Sequence, residues 1–279
     1  MTRPRGPILL LLLLFLPWAG RPLHAAGQIL LILDDMGQSY GRARLESCFD
    51  LPADVAFSII PGTQLAARMA ARCSAQQRDY LAHLPWQPQE TRDPAERLLA
   101  RVDCSPRRLQ QVLEQTRREL PGMVGANNHQ GSRACRDTAF LRAFAQAWRP
   151  LGLPFVDSRT VAGSCVPAEL GAAGIAVFEN QLFLDHVDEP AAIREKLLEL
   201  ERLARQRDLT IAIAHPRPNT LAMLEPWLAQ LPAGLELIPA SRALLPPAPL
   251  DWLAQVRPGW PGLPAPEPAA AADTLNQED

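Results

Sequence analysis

Residues 29–37 read ILLILDDMG, a run of five apolar residues that ends in two aspartates. The run does not alternate with polar residues, so both faces of the predicted strand are expected to be buried, as in a parallel sheet covered by helices. Asp34 and Asp35 stand at the carboxyl end of this strand. Because α/β proteins place their functional groups at that end, the stretch predicts an α/β fold with a carboxylate pair in its site.

Short apolar runs alternate with helical patterns along the rest of the chain. The predicted strands lie at 28–33, 54–60, 79–84, 123–127, 153–157, 174–178, 209–214 and 235–239. Seven or eight β-α units fit either a (β/α) barrel or an open doubly wound sheet. A doubly wound sheet concentrates its site at one switch point, whereas polar residues here follow many different strands, which favours the barrel.

Three predicted helices carry start signals. Ser105 before Pro106 is an N-cap followed by a first-turn proline, and Asp137 and Asn219 are the N-cap candidates of two later helices.

The two ends of the chain differ in composition from the middle. Residues 1–26 predict a secretory signal peptide, with Arg3 and Arg5 before an apolar core at 8–16. That core is short for a membrane span, although an uncleaved anchor is the alternative. Residues 245–279 are rich in proline and alanine and predict a disordered tail. The expected organisation is therefore one domain at 27–244 in an exported protein, periplasmic or extracellular, without a stable membrane span after cleavage.

Charge and cysteine usage exclude several classes of function. The net charge is −2, and the arginines are scattered, so no nucleic-acid partner is expected. The five cysteines show no C-x-x-C spacing, so neither a thiolate metal cluster nor a redox pair is indicated. Up to two disulfides with one free thiol, or isolated cysteines, are both open. Ser58 and Ser132 do not lie in a G-x-S-x-G elbow, and no phosphate-binding glycine loop is present in the sequence.

Histidines follow three of the other apolar runs. His83 follows the apolar run that begins at Tyr80, and His215 follows the apolar run at 211–214. His129 ends the motif Asn127-Asn128-His129. A hydrolytic metal site needs three nitrogen or oxygen ligands and one open position.

Asp35, His83 and His129 meet this need if their strand ends are neighbours. Asp34 is then the candidate general base and His215 the candidate general acid. For each residue taken alone, an ordinary role in a turn is the alternative.

Five further polar residues are candidate substrate contacts: Asn127, Asn128, Ser132, Asp157 and Arg159. The asparagine amides are expected to hold a substrate carbonyl or oxyanion. Asp157 is expected to orient a catalytic histidine, and Arg159 to meet a substrate oxygen or pair with Asp34. The alternatives are turn residues for the asparagines and an internal ion pair for Asp157 and Arg159.

Several motifs of this sequence resemble those of the divergent polysaccharide deacetylases, a distant branch of the metal-dependent carbohydrate deacetylases. The resemblance covers roughly residues 28–244. The matching motifs are ILDDMG (32–37), HLP (83–85), GANNHQGS (125–132), FVDSRT (155–160), FLD (183–185) and HPRP (215–218). The resemblance implies a distorted (β/α) barrel. It also implies that Asp34 is the base, Asp35 a metal ligand and His215 the acid.

The sequence departs from that family at some positions. Only His83 stands where ordinary deacetylases carry two metal histidines in one motif, so His129 must supply the other nitrogen. Trp86 and Gln130 stand where methionine is usual, and Asn180 where arginine is common. Substrate contacts are expected to differ at these positions.

The function so implied is removal of acetyl groups from N-acetylated, or alternatively O-acetylated, carbohydrate of the cell envelope. The expected cofactor is one divalent metal ion such as zinc, and the expected partner is a glycan substrate. A non-catalytic envelope protein that binds a glycan or another partner is the main alternative. A metal-dependent hydrolase of other esters or amides is a third.

Overall fold

The computed structural model describes residues 27–38, 40–90 and 97–245. The predicted signal peptide at 1–26 and the predicted tail, apart from Leu245, lie outside these residues. Among the described residues, no helix combines the length and the apolar character that a membrane span requires.

Nine parallel strands form one sheet in the described residues. They are β1 (Gly27–Met36), β2 (Ala56–Ile59), β3 (Tyr80–Trp86), β4 (Ala126–Gln130), β5 (Phe155–Asp157), β6 (Val177–Glu179), β7 (Leu182–Phe183), β8 (Leu209–Ala214) and β9 (Leu235–Leu237). The order across the sheet is β6-β5-β4-β3-β2-β1-β8-β7, and β9 pairs with the start of β1. All eight predicted strands are present; β8 has the predicted ends, the other seven differ at one or both ends, and the two-residue β7 is additional.

The sheet curls into a distorted barrel because its two end strands are consecutive in the chain. Only Asn180 and Gln181 separate β6 from β7. The Asn180 amide donates to the Asp157 carbonyl at 2.9 Å, and the Gln181 amide donates to the Ile211 carbonyl at 3.0 Å. The adjacent residues Asn180 and Gln181 thus form hydrogen bonds to β5 and to β8, two strands that lie far apart in the sheet order. The predicted barrel is confirmed.

The described residues form eight α-helices: α1 (Arg42–Asp50), α2 (Ala66–Ala75), α3 (Pro106–Glu119), α4 (Thr138–Trp148), α5 (Val166–Ala172), α6 (Pro190–Ala204), α7 (Pro218–Ala229) and α8 (Ala240–Ala243). Ser105 caps α3 and Asp137 caps α4, as predicted. The prediction for Asn219 is wrong, because α7 begins one residue earlier and the Asn219 amide donates to the Asp188 carbonyl.

Alternation along the strands separates an inner from an outer core. The inner core is formed by every second strand residue, together with residues of α8. Its strand residues are Leu30, Ile32, Ala56, Leu81, Val156, Ile211 and Ile213. The strand residues between them point to the outside of the barrel and pack against the other helices. Five polar residues each follow one of these inner residues by two positions along the chain: Asp34, Ser58, His83, Ser158 and His215. Because strand side chains repeat every second residue, this polar layer lies on top of an apolar barrel filling.

Trp86 belongs to the outer core. Its side chain is fully buried, stacks on Phe155 with ring centroids 5.1 Å apart, and meets Phe140 and Phe144 of α4 edge-on. One face of β3 therefore supplies the centre of an aromatic cluster, while His83 on the other face enters the barrel.

Replacing Trp86 with alanine is expected to lower the free energy of unfolding by about 3–5 kcal/mol, because it empties the centre of this cluster. Chemical denaturation measures the loss. Leu198→Ala, at a position 60% exposed, is the control and should change stability by less than about 0.5 kcal/mol. Equal, small losses in both variants would show that the ring is not part of the core.

Candidate metal centre and catalytic cleft

A break in strand geometry lets two adjacent carboxylates enter the same site. Consecutive side chains of a regular strand point to opposite faces, so Asp35 would face the helices if Asp34 faces the barrel. The β1–β2 register shifts between Leu33 and Met36, and Asp35 has a left-handed φ of 60°. Tyr40 secures this bulge by donating its hydroxyl to the Asp35 carbonyl at 2.9 Å. The bulge redirects Asp35 toward the histidines.

Asp35, His83 and His129 converge on one point. Asp35 Oδ1 lies 3.3 Å from His83 Nε2 and 3.0 Å from His129 Nδ1, and the two nitrogens are 3.1 Å apart. The edge of a tetrahedron of zinc ligands at ordinary bond lengths is about 3.4 Å. The three atoms therefore form nearly one face of such a tetrahedron.

The electrostatics of Asp35 also suit a cation. Its Oδ1 is buried and accepts no hydrogen bond from the described residues, although it lies between two imidazoles. Burial alone would raise the pKa of Asp35, but His129 and His83 together lower it well below its ordinary value. The side chain is thus an ionised carboxylate, which is the form that binds metal. These residues fit a divalent ion.

The Asn127 amide organises the groups around this centre. Its oxygen accepts hydrogen bonds from the Ser58 hydroxyl and from His83 Nδ1, the latter at 2.9 Å. Its nitrogen donates to Asp34 Oδ1 at 2.9 Å and to Ser158 Oγ at 3.1 Å. Since Asn127 is fully buried, it positions other side chains, and its expected contact with substrate is not supported.

Asp34 lies beside the centre in the barrel interior. Burial, assisted by the charge of Asp35, raises the pKa of Asp34 above its ordinary value, against the opposing influence of His83, His215 and Asn127. A carboxylate with a raised pKa is a stronger base than an exposed aspartate.

His215 and Asp185 form a second unit across the cleft. His215 Nδ1 lies 2.8 Å from Asp185 Oδ1, and its Nε2 lies 4.0 Å from Asp35 Oδ2. Asp185 is fully buried and also accepts the His215 backbone amide and the Thr220 hydroxyl. Burial would lower the pKa of His215, but the hydrogen bond and charge of Asp185, with the charges of Asp34 and Asp35, raise it. Asp185 therefore stabilises the protonated form of the His215 imidazole.

The orienting carboxylate is Asp185 and not Asp157. Asp157 Oδ1 accepts the Arg159 backbone amide at 2.8 Å, and its buried Oδ2 has no hydrogen-bond partner among the described residues. Arg159 lines the cleft, and its guanidinium pairs with Glu179 at 3.2 Å and not with Asp34; its other expected role, contact with a substrate oxygen, stays a prediction. Neither the predicted histidine contact of Asp157 nor a guanidinium bond between Arg159 and Asp157 is present.

The other two predicted substrate contacts also have partners within the protein. Asn128 Nδ2 donates to the Gln130 carbonyl at 2.8 Å, and its Oδ1 accepts the Ser158 amide at 2.9 Å. The Ser132 hydroxyl accepts the Gln89 amide at 2.8 Å. Asn128 reaches the wall of the cleft, but its amide hydrogen bonds already hold the β4 end to the β5 loop.

A cleft of about 430 Å³ opens above these groups. Besides the predicted residues, its lining includes Thr160, Phe183, His186 and Arg217. Phe183 lies parallel to the His215 ring at a centroid distance of 6.3 Å, and the Arg217 guanidinium donates to the Asp185 carbonyl at 2.6 Å. The only sequence signal for Phe183, Asp185 and Arg217 is their place in the motifs FLD and HPRP.

Residues 31–244 match the family model of the divergent polysaccharide deacetylases. The chain belongs to this family. Its relatives within the curated proteins include the uncharacterized protein YibQ of Escherichia coli, 28% identical over 78% of this chain and 68% of that protein. An uncharacterized protein of Haemophilus influenzae is 28% identical over 77% of this chain and 75% of its own length.

A solved structure from Agrobacterium tumefaciens, also of an uncharacterized protein, shares the fold of this family member. The TM-score is 0.73 at 19% identity, covering 81% of this chain and 91% of that one.

Two of the three departures from the family pattern lie away from the cleft. Trp86 faces the outer core. Asn180 is buried, where it accepts the Leu182 amide and donates to the Ser158 carbonyl. Gln130 alone of the three lines the cleft.

Changing Asp185 to asparagine is expected to lower the pKa of His215, since the carboxylate charge and hydrogen bond that stabilise the imidazolium are lost. An NMR titration of the cation-free protein measures this pKa. Asp188→Asn, which removes an equal charge from an exposed neighbour, should leave it nearly unchanged. Equal pKa values in wild type and Asp185→Asn would contradict the assignment of Asp185 as the partner of His215.

Proposed function

We propose that this chain is an exported metal-dependent hydrolase that removes acetyl groups from N-acetylated carbohydrate of the cell envelope. The observation that carries the proposal is the assembly, within one cleft, of three convergent cation ligands, a buried carboxylate and a carboxylate-bound histidine. Family membership supports the deacetylase chemistry. The basic and apolar pattern of residues 1–26 supports export.

Asp35, His83 and His129 would hold the ion. A divalent cation bound there supplies Lewis acidity, which eases deprotonation of water and polarises an acetyl carbonyl. Asn127 contributes indirectly, because its oxygen accepts a hydrogen bond from His83 Nδ1–H, which leaves His83 Nε2 as the nitrogen with the lone pair. Two of the three ligand atoms, Asp35 Oδ1 and His83 Nε2, are therefore presented in their metal-binding form.

Asp34 and His215 divide the two proton transfers of amide hydrolysis. Asp34 takes a proton from the attacking water as the new carbon–oxygen bond forms. His215 Nε2 gives a proton to the amine nitrogen as the carbon–nitrogen bond breaks, and Asp185 stabilises the imidazolium until then. Acetate and a free amine on the sugar are the products.

Asp35→Ala and His129→Ala are each expected to abolish stoichiometric zinc binding while the fold survives, because each removes one of three ligands. Metal content and calorimetric titration measure the stoichiometry, and circular dichroism checks the fold. Glu179→Ala, which removes a carboxylate from the exposed rim, is the control and should still bind one ion. Full occupancy in either ligand variant would refute this ligand set.

Asp34→Asn should retain zinc yet lose at least about 100-fold in turnover, because the amide keeps the shape of the carboxylate but is not a base. The assay is acetate release from a panel of chito-oligosaccharides, peptidoglycan fragments and simple acetyl esters by the zinc-loaded protein.

The same panel separates the proposed function from its rivals. Acetate release from the acetylated sugars by wild type is the expected result. Tight glycan binding without acetate release would favour a non-catalytic binding protein. Activity on the simple esters alone would favour a hydrolase of another class.

A further inference from the structure

Arg217 is held in place at the wall of the cleft, two residues after His215. It stands between Pro216 and Pro218, and the following proline restricts Arg217 to an extended backbone, which it has with φ −87° and ψ 150°. Its amide donates to the His215 carbonyl at 2.8 Å. The side chain is anchored as well, because the guanidinium donates to the Asp185 carbonyl at 2.6 Å. Both the backbone and the charged end of Arg217 are thus fixed before any substrate binds.

The positive charge of Arg217 is not neutralised by any carboxylate of the described residues. A guanidinium has five N–H donors, and the bond to the Asp185 carbonyl is the only one that Arg217 forms within the described part of the chain. The residue is half-buried, where a cation without a counter-ion is costly. Arg159, the other arginine of the cleft, differs because it pairs with Glu179. Arg217 therefore keeps both its charge and several donors for an anion.

The carboxylates of the cleft are already committed to other partners. Asp35 is a candidate ligand, Asp34 is the candidate base, and Asp185 accepts His215 Nδ1 at 2.8 Å. No further carboxylate lines the cleft among residues 27–38, 40–90 and 97–245. The counter-ion of Arg217 is therefore expected to come from the ligand that fills the cleft.

We propose that Arg217 binds a carboxylate of the substrate, and that the preferred substrate is accordingly an acidic N-acetylated saccharide. The planar guanidinium matches a carboxylate through two parallel N–H···O bonds, which the hydroxyls of a neutral sugar do not reproduce. The inference rests on the proposed function, in which His215 protonates the amine nitrogen of the sugar. That sugar then lies beside His215, so the carboxylate belongs to the same sugar or to its neighbour.

The test uses glycan strands of peptidoglycan freed of peptide, which carry both acetamido groups and carboxylates, and the same strands with the carboxylates methyl-esterified. Calorimetry measures the binding of each probe to the cation-free protein, and acetate release measures turnover by the zinc-loaded protein. Wild type is expected to favour the free acid over the ester about 10–100-fold in both measurements, the range for a hydrogen-bonded charge pair.

Three variants locate the source of this preference. Arg217→Gln should bring the ratio of acid to ester close to one, because the amide donates hydrogen bonds without a charge. Arg217→Lys keeps the charge without the planar fork and should give an intermediate ratio. Arg207→Gln removes the same charge from an exposed residue before the start of β8 and should keep the wild-type ratio. Circular dichroism and zinc stoichiometry check that each variant is folded.

The outcomes separate this inference from the proposed function. Equal affinity of wild type for acid and ester, or an unchanged ratio in Arg217→Gln, would overturn the inference, while acetate release from either probe would leave the proposed function intact. Acid-specific binding that is lost in Arg217→Gln, without acetate release by wild type from any acetylated sugar, would uphold the Arg217 site and overturn the hydrolase proposal.

Discussion

The buried Asn127 amide is the interaction on which the rest of the site depends. An amide can accept two hydrogen bonds and donate two, and all four are used, toward Ser58, His83, Asp34 and Ser158. These partners lie on or just after four other strands, so one side chain joins five neighbouring strand ends. Leaving any partner unpaired in this interior would cost about 1–3 kcal/mol. The network therefore holds the base, one ligand and the barrel rim in a single arrangement.

The site is the uppermost layer of the barrel interior. Apolar side chains fill the lower layers, and the next inward-pointing residues along the strands are polar. The alternation of side chains that builds the apolar core therefore also places the polar groups of the site inside the barrel. Most of the backbone strain in the described residues lies at the cleft. Of the four described non-glycine residues with positive φ, three line the cleft: Asp35, Gln130 and Arg159. Strain of this kind persists where a rigid surround enforces it, and here the parallel strands supply that rigidity.

The fold and the convergence of the candidate ligands were predictable from the sequence, but the partners of several side chains were not. An unbroken apolar run followed by Asp34 and Asp35 indicates a buried parallel strand whatever its neighbours are. The roles expected of Asp157 belong to Asp185 because only the order of strands in space decides which carboxylate lies beside His215. That order depends on β7, which is two residues long and carries no periodic signal. Asparagine at a strand end likewise reads as a substrate contact until the inward direction of its side chain is known.

X-ray absorption at the zinc edge of the loaded protein is the most direct test of the central claim that Asp35, His83 and His129 share one cation. The account predicts a first shell of two imidazole nitrogens and additional oxygen at about 2.0–2.2 Å. A shell that contains sulfur, or that contains fewer than two imidazoles, would contradict it.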